Sequence, residues 1–221
     1  TFLEAYTSKH NVGLILKTSG ATPSKIDYQD LIHKVEEIKK IVNNPDPPNI
    51  YILHGDLHDY EMNQLYNHPK VKAHVTFTHG EGFGRPLLEA SLSAKPVLAP
   101  GWSGHVDFLD KKYAVLFGGG LVGVGEDALP EQIFMKEMKW FMVNHKQAAS
   151  TMKNVKRNYR RFKIAARKLA KQNAAKFSFK SMVSHLNTIL DQSLPKFTQT
   201  VDVKLPNLKK LPKKLPKLEK A

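Results

Sequence analysis

The densest chemistry in the chain lies in residues 76–100, TFTHGEGFGRPLLEASLSAKPVLAP. Two carboxylates, Glu81 and Glu89, are separated by seven residues, and Gly82, Phe83 and Gly84 follow the first directly. Carboxylates accept hydrogen bonds from sugar hydroxyls, often two at once from a vicinal diol. Glycines let a backbone approach a ligand closely, and free amides at a helix N-terminus favour phosphate oxygens. The combination fits the grip of a hydroxyl-rich, phosphorylated ligand. Other chemistries find less support. His54 and His58 have the i, i+4 spacing of a helical metal pair, but Gly55 and Asp56 between them break a helix, so no metal site is expected. Ser103, His79 and His105 border the same loops, yet no third residue completes a Ser–His nucleophile.

For such a loop to work, a strand must enter it and a helix must leave it, with both acids turned toward one crevice. The surrounding pattern supplies this. Apolar, β-branched runs at residues 11–17, 50–53, 74–77, 96–99 and 114–117 have the length of buried strands. Helical periodicity separates them: Leu31, Ile32, Val35, Ile38, Ile41 and Val42 on one helix, residues 59–66 on a short one, and residues 85–93 after the glycine loop, with Pro86 suited to a first turn. The start of the chain, residues 1–9, reads as the end of a helix. The alternation predicts an α/β fold, a Rossmann-like three-layer α/β/α parallel sheet of five to six strands with extra C-terminal helices. Doubly wound sheets bind ligands outside the carboxyl ends of their strands, where Glu81 is expected to lie. The glycine-rich run at 118–125 lacks the G-x-G-x-x-G order and reads as a flexible connection, followed by a helix over 130–143. Met152, Val155, Tyr159, Phe162, Ala166 and Leu169 then form one helical stripe, and a last helix is expected over 178–190.

Composition narrows the classes further. The 221 residues contain no cysteine, which excludes disulfides and thiolate metal sites and makes the cytoplasm the expected compartment. No apolar run approaches the ~20 residues of a membrane span. The net charge of +14 is unevenly placed: residues 1–145 hold 14 basic and 17 acidic side chains, whereas residues 146–180 hold 12 basic and none acidic. A basic face of that kind attracts an anionic membrane surface, with peripheral attachment, or nucleic acid, although no nucleic-acid motif accompanies it. The boundaries expected are a domain over 1–194 and a Lys/Pro-rich, disordered tail over 195–221, where KLPNLKKLPKKLPKLEK precludes a long helix.

E-G-F-G followed by E-A, the E-x7-E spacing, and P-V before a loop with S-G resemble the C-terminal, donor-binding domain of retaining GT-B glycosyltransferases of family 4 (glycosyl transferases group 1). The likeness runs from LILKTSG through HGDL and THGEGFG to APGWSGHVDFLD, about residues 1–120. It implies that Glu89 holds the ribose hydroxyls of a nucleotide and Glu81 the hydroxyls of the donor sugar. The amides of Gly82, Phe83 and Gly84 would approach sugar and diphosphate. Lys17 stands where the family usually places an Arg and would neutralise the diphosphate, with Lys25 as its second cation. Gly55, Asp56 and Leu57 would border the base. The implied donor is a UDP- or GDP-sugar, with no metal or other cofactor required. The acceptor would be a sugar or a lipid-linked sugar, and its site would come from a separate N-terminal domain or chain. The alternative expectation is a non-enzymatic Rossmann-like protein that binds nucleotide or nucleic acid through its basic C-terminal third.

Overall fold

The computed structural model describes residues 1–18, 22–125 and 137–195. Among them the element order is α1 (Phe2–Ala5), β1 (Gly13–Thr18), α2 (Lys25–Val42), β2 (Asn49–His54), α3 (Asp59–Asn67), β3 (His74–Val75), α4 (Arg85–Leu92), β4 (Val97–Pro100), β5 (Val115–Phe117), β6 (Gly119–Gly123), β7 (Lys139–Val143), α5 (His145–Arg157), α6 (Tyr159–Lys176) and α7 (Phe179–Ser193). Single 3-10 turns occupy Ser8–His10 and Gly104–Asp107.

All five expected parallel strands are present, each joined to the next by a helix or a helical turn. They hydrogen-bond as a pair, β1–β2, and a triplet, β3–β4–β5. In the pair Gly13 stands opposite Asn49 and Thr18 opposite His54; in the triplet Val75 faces Leu98, and Leu98 faces Val115. β4 is buried along its whole length, which explains why its sequence VLAP shows no polar alternation.

Two apolar clusters lie within residues 1–182. One packs Leu98 and Phe117 against Phe141, Val143, Ala148, Met152 and Val155; the other packs Leu87, Ala90, Val97 and Leu109 against Leu169. The stripe read from the sequence thus does face the interior, at Met152, Val155, Ala166 and Leu169, but Asn158 divides it into two helices. A second unit opens at Val183, within α7, and the residues from Val183 to Pro195 are exposed.

Two expectations are corrected here. The glycine-rich run is not a loose connection: Gly119–Gly123 forms β6, paired antiparallel with β7. Gly119 can sit in that ladder because a Cβ there would overlap the Met142 carbonyl. The expected helix over 130–143 is a strand at Lys139–Val143, where the alternation of Trp140, Phe141, Met142 and Val143 puts Phe141 and Val143 inside. Residues 130–136 of that expected helix, and residues 196–221 of the expected tail, lie outside the described residues.

Candidate functional site

The Glu81 loop leaves β3 and enters α4 under tight control. His79 is anchored to β7, its Nδ1 lying 2.9 Å from the Phe141 carbonyl while the Phe141 N–H donates to the His79 carbonyl at 3.2 Å, and its ring stacks on Trp140 at 4.1 Å. Glu81 is held by its backbone. Its N–H donates to Ser103 Oγ (3.0 Å), and its carbonyl accepts from that same hydroxyl (2.6 Å) and from the Gly104 N–H (3.0 Å). Among the described residues its carboxylate makes no hydrogen bond or ion pair. Gly84 then turns into a left-handed conformation (φ 84°) as the N-cap of α4, and its carbonyl accepts from Leu87 and Leu88. A Cβ on Gly84 would press on His105 at 3.0 Å, so glycine is needed there for room as well as for conformation. Phe83 is half-exposed, with its ring 5.2 Å from Phe108.

Glu89 lies one turn further along α4 and takes a different partner. Its Oε1 accepts from Arg85 Nε at 2.6 Å, the i, i+4 pairing of one helical face. Arg85 also stands 3.8 Å from Asp59 at the start of α3. The hydrogen bond to Glu89, with the Coulombic attraction of both acids, raises the Arg85 pKa above its ordinary value. The residue after Leu57 is His58, the N-cap of α3, so through Asp59 Arg85 reaches the helix that follows the 55–57 loop.

At the carboxyl end of β1 and β2, Lys17 Nζ donates to the Gly55 carbonyl at 2.7 Å, and the Gly55 N–H donates to Thr18 at 3.2 Å. Gly55 is buried at φ 95°. Lys25 is the first residue of α2 and is exposed; Asp56 is exposed and Leu57 half-buried. Ser24 caps α2 by accepting from the Asp27 N–H at 3.1 Å. The Asp27 carboxylate in turn accepts from the Thr22 N–H and hydroxyl, which hold its pKa below the usual carboxylate range. His54 reaches the Ser24 carbonyl at 3.2 Å, tying the end of β2 to the start of α2.

The structure places the expected residues in three separate groups, Glu81–Gly84 with Ser103–His105, Glu89 with Arg85 and Asp59, and Lys17 with Gly55. Among the described residues no hydrogen bond or ion pair joins Lys25, Asp56 or Leu57 to any of them. No hydrogen bond joins Glu81 to Glu89, and each answers to its own surroundings. Arg85 is the residue that sequence reasoning did not place in the site; Ser103 and Gly104 were read in the bordering S-G loop but given no role in holding Glu81. Arg85 had a readable signal in its four-residue spacing from Glu89. For Ser103 and Gly104 the loop was readable but the bonds to Glu81 were not, because they span more than 20 residues. Two hollows of about 440 and 430 Å³ lie elsewhere, one between β6–β7 and α5, the other between residues 106–111 and α6. Among the described residues no group of three or more His, Asp or Glu is placed to hold a metal ion, and no helix is long and apolar enough to cross a membrane.

The fold is one that solved glycosyltransferases share. The chain superposes on Anabaena Alr3699/HepE in complex with UDP-glucose with a TM-score of 0.56 at 15% identity, over 86% of its own length and 44% of that chain. It matches a glycosyltransferase from Rickettsia africae ESF-5 with a TM-score of 0.56 at 16% identity, over 89% of its length and 44% of that chain. It matches the pneumococcal O-GlcNAc transferase GtfA, in complex with UDP and GlcNAc, with a TM-score of 0.53 at 15% identity, over 86% of its length and 31% of that chain. The chain thus has a Rossmann-like α/β fold of the GT-B kind and spans less than half the length of these structures. No protein-family model and no curated protein matches it.

Proposed function

We propose that this chain is the nucleotide-sugar donor-binding half of a retaining glycosyltransferase, passing a hexosyl group from a UDP- or GDP-sugar to a sugar or lipid-linked acceptor. The observation that carries the reading is the Glu81 loop itself. At the carboxyl side of a parallel strand, a backbone clamped on both sides presents a carboxylate without a partner among the described residues, and the Gly82–Gly84 amides beside the start of α4. Glu81 would hold donor-sugar hydroxyls. Glu89, oriented by Arg85, would take the ribose diol, and Gly55, Asp56 and Leu57 would border the base. Lys17 and Lys25 would meet the diphosphate, where charge-assisted hydrogen bonds act as negative charge develops on the leaving group. Lys17 already donates to Gly55, so diphosphate binding would exchange one carbonyl acceptor for a charged one.

No metal would be needed if the lysine ammonium groups and helix amides carry the charge. The acceptor site would lie in a separate N-terminal domain or chain, consistent with the part of each solved relative that this chain does not cover. The basic side chains exposed on α5 and α6, Lys153, Lys156, Arg157, Arg160 and Arg161 among them, would favour an anionic membrane surface on the cytoplasmic side.

A calorimetric titration with UDP-glucose, UDP-GlcNAc, GDP-mannose and ADP-glucose tests the reading. Binding of one nucleotide class, weakened about tenfold or more by Glu89→Ala, is the expected result. Silence across the panel, together with steeply salt-dependent binding of RNA or DNA that Glu89→Ala leaves intact, would replace it with the non-enzymatic alternative.

A further inference from the structure

Ser103 adopts φ 82° and ψ −173°, a backbone region that is essentially reserved for glycine. Glycines stand at 101 and 104, so the local sequence is rich in the residue that would relieve the strain, and yet the strained position itself carries a side chain. That side chain makes a reciprocal pair of hydrogen bonds. Ser103 Oγ accepts from the Glu81 N–H at 3.0 Å and donates to the Glu81 carbonyl at 2.6 Å. The two groups belong to the peptide planes on either side of the Glu81 Cα. Holding both planes fixes φ and ψ of Glu81, and with them the direction of its Cα–Cβ bond. The Gly104 N–H adds a third bond to the same carbonyl, and Gly104 must be glycine because a Cβ would overlap the Gly82 carbonyl oxygen. Since the Glu81 carboxylate has no partner among the described residues, its aim depends on this backbone grip.

We propose that Ser103 is a positioning residue for the donor sugar: its strained conformation is kept because its hydroxyl aims Glu81 at the sugar hydroxyls. The inference rests on the donor-binding reading above. It differs from a simple cross-link between two loops in what it predicts for Ser103→Gly. That change removes the hydroxyl and also the strain, so the two effects on stability oppose each other while the aim of Glu81 is lost. Ser103→Ala removes the hydroxyl and keeps the strain.

The experiment measures thermal midpoints and the binding of UDP-glucose, UDP-GlcNAc, GDP-mannose, free UDP and free GDP to the full chain. It compares wild type, Ser103→Gly, Ser103→Ala, Glu81→Ala and the double variant Glu81→Ala/Ser103→Gly. The expected result is that Ser103→Gly melts within about 2 °C of wild type, that Ser103→Ala melts lower, and that both bind the nucleotide sugar about tenfold more weakly. Free nucleotide, which lacks the sugar, should bind all variants alike. In the Glu81→Ala background Ser103→Gly should cause no further loss, because it acts through that residue. If wild type binds a nucleotide sugar and Ser103→Gly binds it equally well, the positioning role is overturned while the donor reading stands. An equal loss for nucleotide sugar and free nucleotide, or failure of both Ser103 variants to fold, overturns it in favour of a structural cross-link. If wild type binds no nucleotide sugar at all, both readings fall.

Discussion

β2 and β4 are both parallel strands with apolar sequences, yet they live in different surroundings. Every residue of β4 is buried, and α4 before it sinks Leu87, Ala90 and Ser91. No residue of β1, α2 or β2 is buried, although α2 is 18 residues long and α4 only 8. The difference is in what lies across from them. β4 runs between two neighbours and beneath α4, and α6 adds Leu169 to the same cluster; the buried Asn173 of α6 donates to Ser91 Oγ at 2.9 Å and to the Phe108 carbonyl at 3.2 Å. Among the described residues β1 and β2 pair only with each other, and Ile15 and Tyr51, opposite one another, are 44% and 57% exposed. Apolar character and length decide which element forms; coverage by other elements decides how much of it contributes to stability. The Glu81 loop is mounted on the well-covered part, and Lys17 with Gly55 on the other.

The largest effects should come from testing that contrast directly. Leu169→Ala and Leu109→Ala each remove a side chain that is 0–1% exposed, and each should destabilise the fold by about 2–5 kcal/mol in urea denaturation. Val35→Ala, on the half-buried face of α2, should cost about 1 kcal/mol or less, and Ile41→Ala, 82% exposed, nothing measurable beyond ~0.5 kcal/mol. Equal losses at Leu169 and Val35 would erase the distinction between the two regions.

The next effect is a pH dependence confined to the edge of the well-covered part. His74, at the start of β3, packs edge-on against Tyr66 with its Nε2 3.4 Å from Ser93 Oγ. Burial first, and the nearby Lys95 ammonium second, push its pKa down to about 4, opposed by hydrogen bonding of the ring to the Tyr66 backbone carbonyl. In the folded chain the ring is neutral at a pH where the unfolded chain, with a pKa near 6.5, already holds a proton. Stability from this group is therefore complete above about 6.5 and is lost as pH falls toward about 4, for a total of roughly 3 kcal/mol. Unfolding curves collected between pH 7 and 4 should show this slope in wild type and a flatter one in His74→Gln. An identical slope in the variant would assign the acid sensitivity to other groups.

How much of this was legible in the sequence follows the range of the forces involved. The five parallel strands and the helices between them were readable because apolar runs and 3.6-residue periodicity are local. The glycine–acid loop was readable because Glu81–Gly84 and Glu89 are close in the chain. β6 and β7 were not. Gly119–Gly123 looks like a connector until Lys139–Val143 lies beside it, and only that partner, well down the chain, makes a glycine run into a strand. Ser103 was readable as bordering the loop but not as its clamp, since its φ of 82° and its bonds to Glu81 exist only once residues 81 and 103 meet. The absence of burial in α2 was equally invisible, because its periodicity reports an amphipathic helix whether or not anything covers it.

The smallest expected effect compares helix ends in the two regions. α2 ends at Asn43 and the turn after α4 contains Ala94, and both take left-handed backbone conformations, with φ 49° and 56°. Asparagine tolerates that region because its short polar side chain can hydrogen-bond locally, whereas alanine has a Cβ in steric conflict and nothing to offset it. Ala94→Gly should therefore stabilise the chain by about 1 kcal/mol, less the extra entropy that glycine loses on folding, and Asn43→Gly by no more than about half of that. The Ala94 gain should appear in full because the turn connects α4 to the buried strand β4, so global unfolding must release it. At Asn43, in the loosely covered part, the end of α2 can loosen before the rest of the chain unfolds, and part of any gain goes unrecorded in the global transition. Denaturation midpoints paired with amide exchange at the two turns would separate these cases. Equal gains at both positions would mean that α2 and α4 unfold as a single unit despite their unequal burial.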